Sequence, residues 1–210
     1  MLLLDFVLHP DTHLLSLIQD YGDWVYAILF LIIFAETGLV VAPFLPGDSL
    51  LFVAGALCGM GSMELHTLMP LLMLAAFSGD NTNYWIGRLI GIKLLSRTGE
   101  RIIRREHLDK THAFFDKHGS KTILFARFLP LFRTFAPFVA GVGLMRYRLF
   151  LSFSALGSVA WIAAFTAGGY FFGNIPMIKN NLTLLAIGIV LLSFIPAIRE
   201  FFRHRKLHRP

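Results

Sequence analysis

The chain has 210 residues, of which 56% are hydrophobic and 15% are charged, and its formal net charge is +6. This hydrophobic content exceeds what a soluble domain of this length needs for one core, so it favours a membrane protein. One cysteine, Cys58, excludes an intramolecular disulfide. Nucleic-acid binding is a weak explanation of the positive charge, because no nucleic-acid-binding motif accompanies it.

The basic residues are confined to one part of the chain. No Lys or Arg precedes Arg88, whereas eight acidic residues do. The basic residues concentrate in residues 93–121 and in the tail, residues 199–210. Basic clusters beside apolar segments mark the cytoplasmic side of a membrane protein and can contact anionic lipid headgroups. Both segments are therefore predicted to be cytoplasmic.

The first elements in chain order are an interfacial segment and a membrane helix. Residues 1–23 carry scattered acids and are predicted to lie at the membrane surface. The apolar run from Trp24 to about Val41 predicts a helix, with Trp24 and Tyr26 as interfacial anchors. Pro43 is expected to end it.

The next apolar segment is too short to cross a bilayer alone, since a crossing needs about 20 residues. It covers residues 49–60 and follows Pro46. Residues 42–60 are therefore predicted to form a re-entrant hairpin. Residues 68–92 then predict a full span, although the apolar pattern is interrupted by polar residues at 79–83.

The second half of the chain predicts another hairpin and two spans. Residues 122–145 are apolar but contain Pro130 and Pro137, which are expected to cut them into a second re-entrant hairpin. Basic residues flank this hairpin on both sides, which predicts entry and exit on the cytoplasmic side. Residues 149–173 are predicted to span outward, residues 174–181 to form an outside loop, and residues 182–198 to return.

These elements predict an all-α, polytopic membrane protein with about four membrane-spanning helices and two re-entrant helical hairpins. The membrane domain covers residues 24–198. Counting back from the basic tail predicts that both termini are cytoplasmic and that the hairpins enter from opposite sides. The fold would then resemble the inverted-repeat architecture of transporters.

An internal repeat supports this architecture. Residues 44–46 and 128–130 both read Phe-Leu-Pro, and residues 52–55 and 138–141 both read Phe-Val-Ala-Gly. Duplicated, proline-broken apolar segments are typical of a transporter-like membrane core. Backbone at membrane depth must line a polar cavity or be covered by protein, so the repeat predicts a buried polar site.

Four ionisable residues in or near the repeats indicate what that site contains. The first half carries Glu36 and Asp48, and the second carries Arg127 and Arg133. A charge at mid-bilayer costs about 2.5–3.5 kcal/mol, so these side chains are expected to be paired, hydrated or neutralised. The two acids and two arginines form the predicted pairing set. Static ion pairs that only hold the hairpins together are the alternative to a functional site.

The spacing of the arginines favours anion binding. Residues six apart on a continuous helix point in different directions, but Pro130 can break the helix and let Arg127 and Arg133 converge on one ligand. Arginine offers planar, bidentate hydrogen bonds that match a phosphate group. The two arginines are therefore predicted to bind phosphate.

Other polar residues are predicted to support the site. Asp80, Tyr84, Gly87 and Arg88 share one helix face. Asp80 could orient an arginine, whereas Arg88 could simply extend its charge to the cytoplasmic interface. Gly87 and Gly91, and likewise Gly168, Gly169 and Gly173, are expected to mediate helix packing. The histidines lack metal-ligand spacing, so neither a metal site nor a cofactor is predicted.

These motifs resemble those of the DedA family of membrane proteins, which share a domain with the eukaryotic VTT-type lipid scramblases. The resemblance runs from about Trp24 to the last span. The matching positions are Glu36-Thr37-Gly38, Pro46-Gly47-Asp48-Ser49, Gly79-Asp80 with Tyr84, Gly87 and Arg88, Arg127 to Pro130, Arg133-Thr134 and Ala140-Gly141.

The resemblance implies an inner-membrane protein that transports a phosphorylated polyisoprenoid lipid, undecaprenyl phosphate, or acts as a proton-dependent transporter. The family's functional acids correspond to Glu36 and Asp48, as proton carriers, and its functional arginines to Arg127 and Arg133. Pro46, Gly47, Pro130 and Thr134 fall within the same motifs and are expected to support the site.

Three further functions stay open as alternatives. A non-selective lipid scramblase would use the same fold without proton coupling, and a proton-dependent transporter would carry a small molecule or ion. An enzyme acting on a lipid phosphate is the weakest alternative, because no His, Cys or Ser lies between Phe125 and Gly141 to serve as nucleophile or base. The chain is therefore predicted not to be an enzyme.

Overall fold

The computed structural model describes residues 14, 17–18, 20–39, 47–95, 121–127, 130–172 and 175, and of residues 92–95, 121–122, 125 and 130–131 only the backbone. The following predictions lie outside these residues: most of the interfacial segment, the two prolines before residue 47, the cytoplasmic segment from residue 96 to 120, the outside loop apart from residue 175, the returning span and the basic tail.

The described residues form α-helices, with no strand among them, which confirms the all-α fold class for this part of the chain. In chain order the helices are α1 (Trp24–Gly38), α2 (Gly47–Gly59), α3 (Leu65–Leu95), α4 (Lys121–Ala126), α5 (Pro130–Val142) and α6 (Tyr147–Phe172).

Helix α6 has 26 residues and is the one helix of the described part that is both long and apolar enough to cross a membrane. It confirms the helix predicted for residues 149–173. Helix α3 is longer, at 31 residues, or about 46 Å. It passes through the polar residues at 79–83 without a break.

Helices α1 and α2 are short. Helix α1 has 15 residues, or about 22 Å, and ends at Gly38 rather than at about Val41. Its first residue, Trp24, is 73% exposed, whereas the Tyr26 hydroxyl accepts a hydrogen bond from the backbone N–H of Glu64 at 2.8 Å. Helix α2 has 13 residues, most of them buried. Both helices are shorter than a bilayer core of about 30 Å.

The two prolines of the predicted second hairpin differ in their effect on the helix. Pro130 begins α5, so the predicted break before it is confirmed. The predicted break at Pro137 is wrong, because α5 continues through this residue. A proline removes the N–H that would bond the carbonyl four residues earlier. Such a loss is tolerated in membrane helices when neighbouring helices support the backbone, and α5 is held closely against α3.

The chain divides into two compact units. Unit 1 comprises residues 1–33, 44–73 and 160–210, and unit 2 comprises residues 34–43 and 74–159. Helix α2 lies wholly in unit 1 and α5 wholly in unit 2. The buried apolar core of unit 2 includes Tyr84, Ile123, Ala140, Met145 and Phe150.

In unit 1, α2 packs against α6 through glycines. A Cβ added to Gly55 would collide with the backbone carbonyl of Thr166, and one added to Gly169 would collide with the carbonyl of Phe52. The two helix backbones therefore approach one another directly. This confirms the packing role predicted for Gly169.

In unit 2, α5 packs against α3 in the same way. A Cβ on Gly141 would collide with the carbonyl of Tyr84, and one on Gly87 would collide with the carbonyl of Phe138. Gly91 similarly faces the backbone of Val142. The predicted packing role of Gly87 and Gly91 is confirmed.

The two short helices also end alike. After α2, Gly61 N–H bonds the Cys58 carbonyl and Ser62 N–H bonds the Leu57 carbonyl, which is a Schellman cap. After α5, Leu144 takes the position of Gly61, with a φ of 51° against 80°. Each cap satisfies carbonyls that a helix end leaves without intrahelical donors.

Candidate functional site

Helix α4 ends at Ala126 and α5 begins at Pro130, and an arginine lies on each side of Pro130. Arg127 directly follows the last residue of α4, and Arg133 lies in the first turn of α5. Both side chains are buried, with 4% and 5% exposure. The sequence thus correctly predicts a helix break between two arginines. In the folded chain, both arginine side chains are buried.

Arg127 forms an ion pair with Asp80, near the middle of α3. Nη1 and Nη2 of Arg127 each donate to Oδ2 of Asp80 at 2.7 Å. The same oxygen accepts a hydrogen bond from the Ser154 hydroxyl at 2.6 Å, and Nη2 also donates to the Ser158 hydroxyl at 2.9 Å. Asp80, which the sequence suggests could orient an arginine, therefore contacts Arg127.

Arg133 forms the second ion pair. Its Nη2 donates to Oε1 of Glu36, which is fully buried near the end of α1. An acid from the first half of the chain therefore meets an arginine from the second half, as the sequence predicts. The pairing set nevertheless differs from the expected one, because the carboxylate bonded to Arg127 at 2.7 Å is Asp80.

The four charges form one electrically balanced group in unit 2. Arg127 lies near enough to Arg133 and Glu36 for their charges to act on it. Asp80 likewise lies near enough to Arg133 for the charge of that arginine to act on it. Four unpaired charges at mid-membrane would cost on the order of 10 kcal/mol, which pairing offsets. Removing one partner would leave a buried charge, at a cost of about 3–5 kcal/mol.

Asn83 connects the two helices that carry the second ion pair. Its amide nitrogen donates to the Thr37 carbonyl at 3.1 Å and to the Thr134 carbonyl at 2.7 Å. Thr37 directly follows Glu36, and Thr134 directly follows Arg133. Asn83 is fully buried. One side chain therefore fixes the spacing of the two backbone segments from which Glu36 and Arg133 extend.

Asp48 belongs to unit 1 and has a different environment. It lies in the first turn of α2, and its Oδ1 accepts a hydrogen bond from Nε1 of Trp161 at 2.8 Å. Trp161 is fully buried. The Asp48 carboxyl group therefore lies at the N-terminus of a helix and next to a buried indole N–H.

The remaining predicted residues divide between the two units. Tyr84 is buried in unit 2, where its hydroxyl donates to the Met145 carbonyl at 2.5 Å and accepts from Nη1 of Arg88 at 2.8 Å. Thr134 is buried and bonded to Asn83 through its carbonyl. Gly47 is buried at the start of α2 in unit 1, and Pro46 lies outside the described residues.

A metal centre is not evident in the described part of the chain, which contains no group of three His, Cys, Asp or Glu side chains placed to hold an ion.

Four side chains contact predicted site residues without having been selected from the sequence: Asn83, Ser154, Ser158 and Trp161. Ser154 and Ser158 are four residues apart in an apolar helix, so their position on one face was a usable signal. Asn83 belongs to the polar interruption at residues 79–83. Trp161 carried no local signal, because an apolar helix accommodates a tryptophan anywhere.

Known proteins resemble this chain over most of its length. A family model described as the VTT domain matches residues 45–171. The chain is 56% identical over 206 residues to Protein DedA of Escherichia coli (strain K12), which covers 97% of this chain and 94% of that protein. No solved structure is significantly similar to this chain.

More distant relatives extend the same pattern. An uncharacterized membrane protein of Mycobacterium leprae is 43% identical over 167 residues, covering 80% of this chain and 75% of that protein. Inner membrane protein YghB of Escherichia coli (strain K12) is 33% identical over 177 residues, covering 84% and 78%. By these matches and by its VTT domain, the chain belongs to the DedA family of membrane proteins.

Proposed function

We propose that the protein is a transporter that moves a phosphorylated polyisoprenoid lipid, such as undecaprenyl phosphate, across the bacterial inner membrane, coupled to protons. The observation that carries this proposal is the buried group at the Pro130 break. There, Arg127 and Arg133 are buried and each binds a carboxylate, so each guanidinium charge is balanced by a group that an anionic ligand could replace. A phosphate can replace a carboxylate on a guanidinium because both accept the same paired hydrogen bonds.

The proposed topology has about four spans and two re-entrant hairpins, at about residues 42–60 and 122–145, with both termini in the cytoplasm. The lengths of α2 and α5 support it, because each has 13 residues and neither could cross a bilayer core of about 30 Å. The repeated glycine contacts of these two helices support a duplicated unit.

Lipid binding is proposed to proceed by exchange of anions on the arginines. A phosphate monoester carries about −1.5 to −2 charges at neutral pH. When it binds Arg127 and Arg133, it displaces Asp80 and Glu36, and the site would hold excess negative charge. Uptake of about two protons by the released carboxylates restores the balance, so phosphate binding and protonation are coupled reciprocally.

Glu36 and Asp48 are the proposed proton carriers, with Asp80 as a third carboxylate that this geometry adds. Asp48 accepts a hydrogen bond from the neutral indole N–H of Trp161, whereas Glu36 and Asp80 each accept one from an arginine.

An enzyme acting on the same lipid phosphate is a second candidate that one observation favours. The sequence near the arginines lacks a nucleophile, but the fold brings the Ser154 hydroxyl to 2.6 Å from Oδ2 of Asp80. Serine beside a carboxylate and an arginine is a plausible nucleophile for a phosphate ester. Asp80 is a poor base here, however, because the same oxygen already accepts two bonds from Arg127.

Reconstitution in proteoliposomes tests these proposals together. The measurements are transbilayer movement of undecaprenyl phosphate, movement of a phosphatidylcholine, and release of inorganic phosphate, each with and without an imposed pH difference. A proton-coupled lipid transporter moves the polyisoprenyl phosphate faster under the gradient and releases no phosphate. Equal movement of both lipids without a gradient effect identifies a scramblase, and phosphate release identifies an enzyme.

A further inference from the structure

Arg88 differs from the two buried arginines in its charge balance. Arg127 and Arg133 each bind a carboxylate, whereas within the described part of the chain no carboxylate lies within ion-pair distance of Arg88. It is half-buried. A guanidinium has five N–H donors, and only one of them, on Nη1, bonds a described protein group. An arginine held in place with most of its donors unused is prepared to bind an anion.

Aromatic side chains hold the Arg88 guanidinium in position. Its central carbon lies 6.0 Å from the ring centre of Tyr84 and 5.7 Å from that of Trp85. Tyr84 is itself fixed, because its hydroxyl bonds the Met145 carbonyl and its ring stacks on Phe150 at 4.4 Å. Cation–π contacts and a charge-assisted hydrogen bond therefore orient the group before any ligand binds, which reduces the entropy lost on binding.

The depth of Arg88 suits the headgroup region of a membrane. Asp80 is the middle residue of α3, which runs from Leu65 to Leu95. Arg88 lies eight residues further along, or about 12 Å along the helix axis. Half of a bilayer core is about 15 Å. If Asp80 lies near mid-membrane, as the proposed topology places it, Arg88 reaches the boundary between hydrocarbon and headgroups.

The surface beside Arg88 is apolar and exposed. Trp85, Leu89 and Ile90 on α3 are 44%, 58% and 39% exposed. Exposed apolar residues next to a cation that has no carboxylate partner among the described residues match a ligand with an anionic head and a hydrocarbon chain. A free phosphate ion would make no use of this apolar surface.

We propose that Arg88, with Tyr84 and Trp85, forms a docking site for the phosphate headgroup of an anionic membrane lipid, outside the buried Arg127–Arg133 group. The guanidinium bonds the phosphate oxygens, and the lipid chain runs past Trp85 toward the Asp80 end of α3. Its role as the place where a transported lipid first binds rests on the proposed function. The lipid contact itself does not require transport.

Quenching of Trp85 fluorescence tests the contact. The protein is placed in nanodiscs containing brominated phosphatidylglycerol or brominated phosphatidylcholine, and the Trp85 signal is obtained as the difference between wild type and Trp85→Phe. Wild type should be quenched more by the anionic lipid. Arg88→Gln should weaken that preference about tenfold, because a charge-assisted contact is lost. Arg88→Lys should fall between the two, since it keeps the charge but not the paired donors.

Arg148→Gln is the matched control, because Arg148 is an exposed arginine near the start of α6 and makes no cation–π contact with the described residues. It should keep the wild-type preference. Inorganic phosphate added in excess should not reverse the anionic quenching. Equal quenching by the two lipids in wild type, an equal loss in the Arg88 and Arg148 variants, or reversal by free phosphate would overturn the proposal.

Transport kinetics separate this site from the proposed function. In proteoliposomes, Arg88→Gln should raise the lipid concentration that gives half-maximal transport about tenfold while leaving the maximal rate near wild type. An unchanged half-maximal concentration would overturn the docking role. If wild type moves no polyisoprenyl phosphate, the proposed function fails, whereas the quenching measurement still decides whether Arg88 binds anionic lipid.

Discussion

Helices α2 and α5 carry the same packing motif but opposite charges. In both helices, the carbonyl of the phenylalanine that begins Phe-Val-Ala-Gly faces a glycine on a long neighbouring helix. The glycine that ends Phe-Val-Ala-Gly faces the carbonyl of a residue on that long helix, three positions before the facing glycine. In unit 1 the long helix is α6, through Thr166 and Gly169. In unit 2 it is α3, through Tyr84 and Gly87.

The two units differ where the short helix begins. In unit 1, Asp48 near the start of α2 meets the neutral donor Trp161, which the long helix α6 provides. In unit 2, Arg133 near the start of α5 meets Glu36, and the long helix α3 supplies Asp80 to Arg127. The backbone contacts are therefore conserved between the copies, whereas the side chains near the helix starts give each copy its own chemistry.

The side of the membrane on which each loop lies is the strongest test of the comparison between the two units. Reporters at Glu64 and at residue 178 should be on the outside, and reporters at residue 105 and at the C-terminus should be on the inside. The physical reason is that hairpins of opposite orientation put their connecting loops on opposite faces. Accessibility of substituted cysteines in intact cells measures this, in a Cys58→Ser background. A cytoplasmic Glu64 would remove the inverted-repeat topology.

The arginines of unit 2 should show the next largest effect. Arg127→Lys and Arg133→Lys should reduce lipid transport nearly as much as the alanine variants, by roughly 10- to 100-fold, because lysine lacks the paired donors of a guanidinium. Transport in proteoliposomes is the measurement, with protein content held equal. Arg148→Lys is the control and should retain full transport. Full activity of both lysine variants at the buried positions would leave only a requirement for positive charge.

Neutral variants of the acids should abolish the response to a proton gradient. Glu36→Gln and Asp48→Asn keep the side-chain shape, and Asp48→Asn also keeps an oxygen that can accept the Trp161 bond. Transport by each should be the same with and without an imposed pH difference, because coupling requires every proposed proton carrier to exchange its proton. Glu64→Gln, at an exposed carboxylate, is the control and should respond as wild type does. A wild-type response in the Glu36 and Asp48 variants would argue for passive scrambling.

The shared glycine contacts predict equal destabilisation in the two units. Gly55→Ala and Gly141→Ala should each lower stability by about 1–3 kcal/mol, because the added methyl group meets a backbone carbonyl that cannot rotate away. Thermal unfolding in detergent measures this. Gly168→Ala is the matched control, since its Cβ would lie 3.8 Å from the Phe52 ring, an ordinary contact. A large effect at only one of the two glycines would contradict the equivalence of the copies.

The smallest effect concerns Asn83, which bonds the backbone beside both members of the Glu36–Arg133 pair in unit 2. Asn83→Ala removes two hydrogen bonds, worth about 1 kcal/mol each, and should reduce transport about tenfold by loosening the Glu36–Arg133 pair. Asn81→Ala, two residues earlier on α3, is the control. If Asn83 acts through that pair, its substitution should add little in a Glu36→Gln background. Additive losses would assign Asn83 a merely structural role.

The local features of the fold were predictable from the sequence because they depend on short-range chemistry. The lengths of apolar segments predicted α1, α2 and α6, and Pro130 correctly predicted the end of a helix. Pro137 has the same chemistry as Pro130 but lies where α5 is held against α3, so the helix continues through it. The packing of the surrounding helices, rather than the proline itself, made the difference.

The sequence by itself determined which charged residues lie in or beside apolar segments and where the repeat lies, since composition and motif are properties of the chain. Only the tertiary structure decided which distant residues meet. Arg127 pairs with Asp80 across 47 residues, and Arg133 pairs with Glu36 across 97 residues. Ser154 bonds Asp80 across 74 residues. Such contacts depend on the rotation and depth of each helix. Direct backbone contacts at Gly79, Gly87 and Gly141 set these in unit 2, and no local pattern of side chains encodes them.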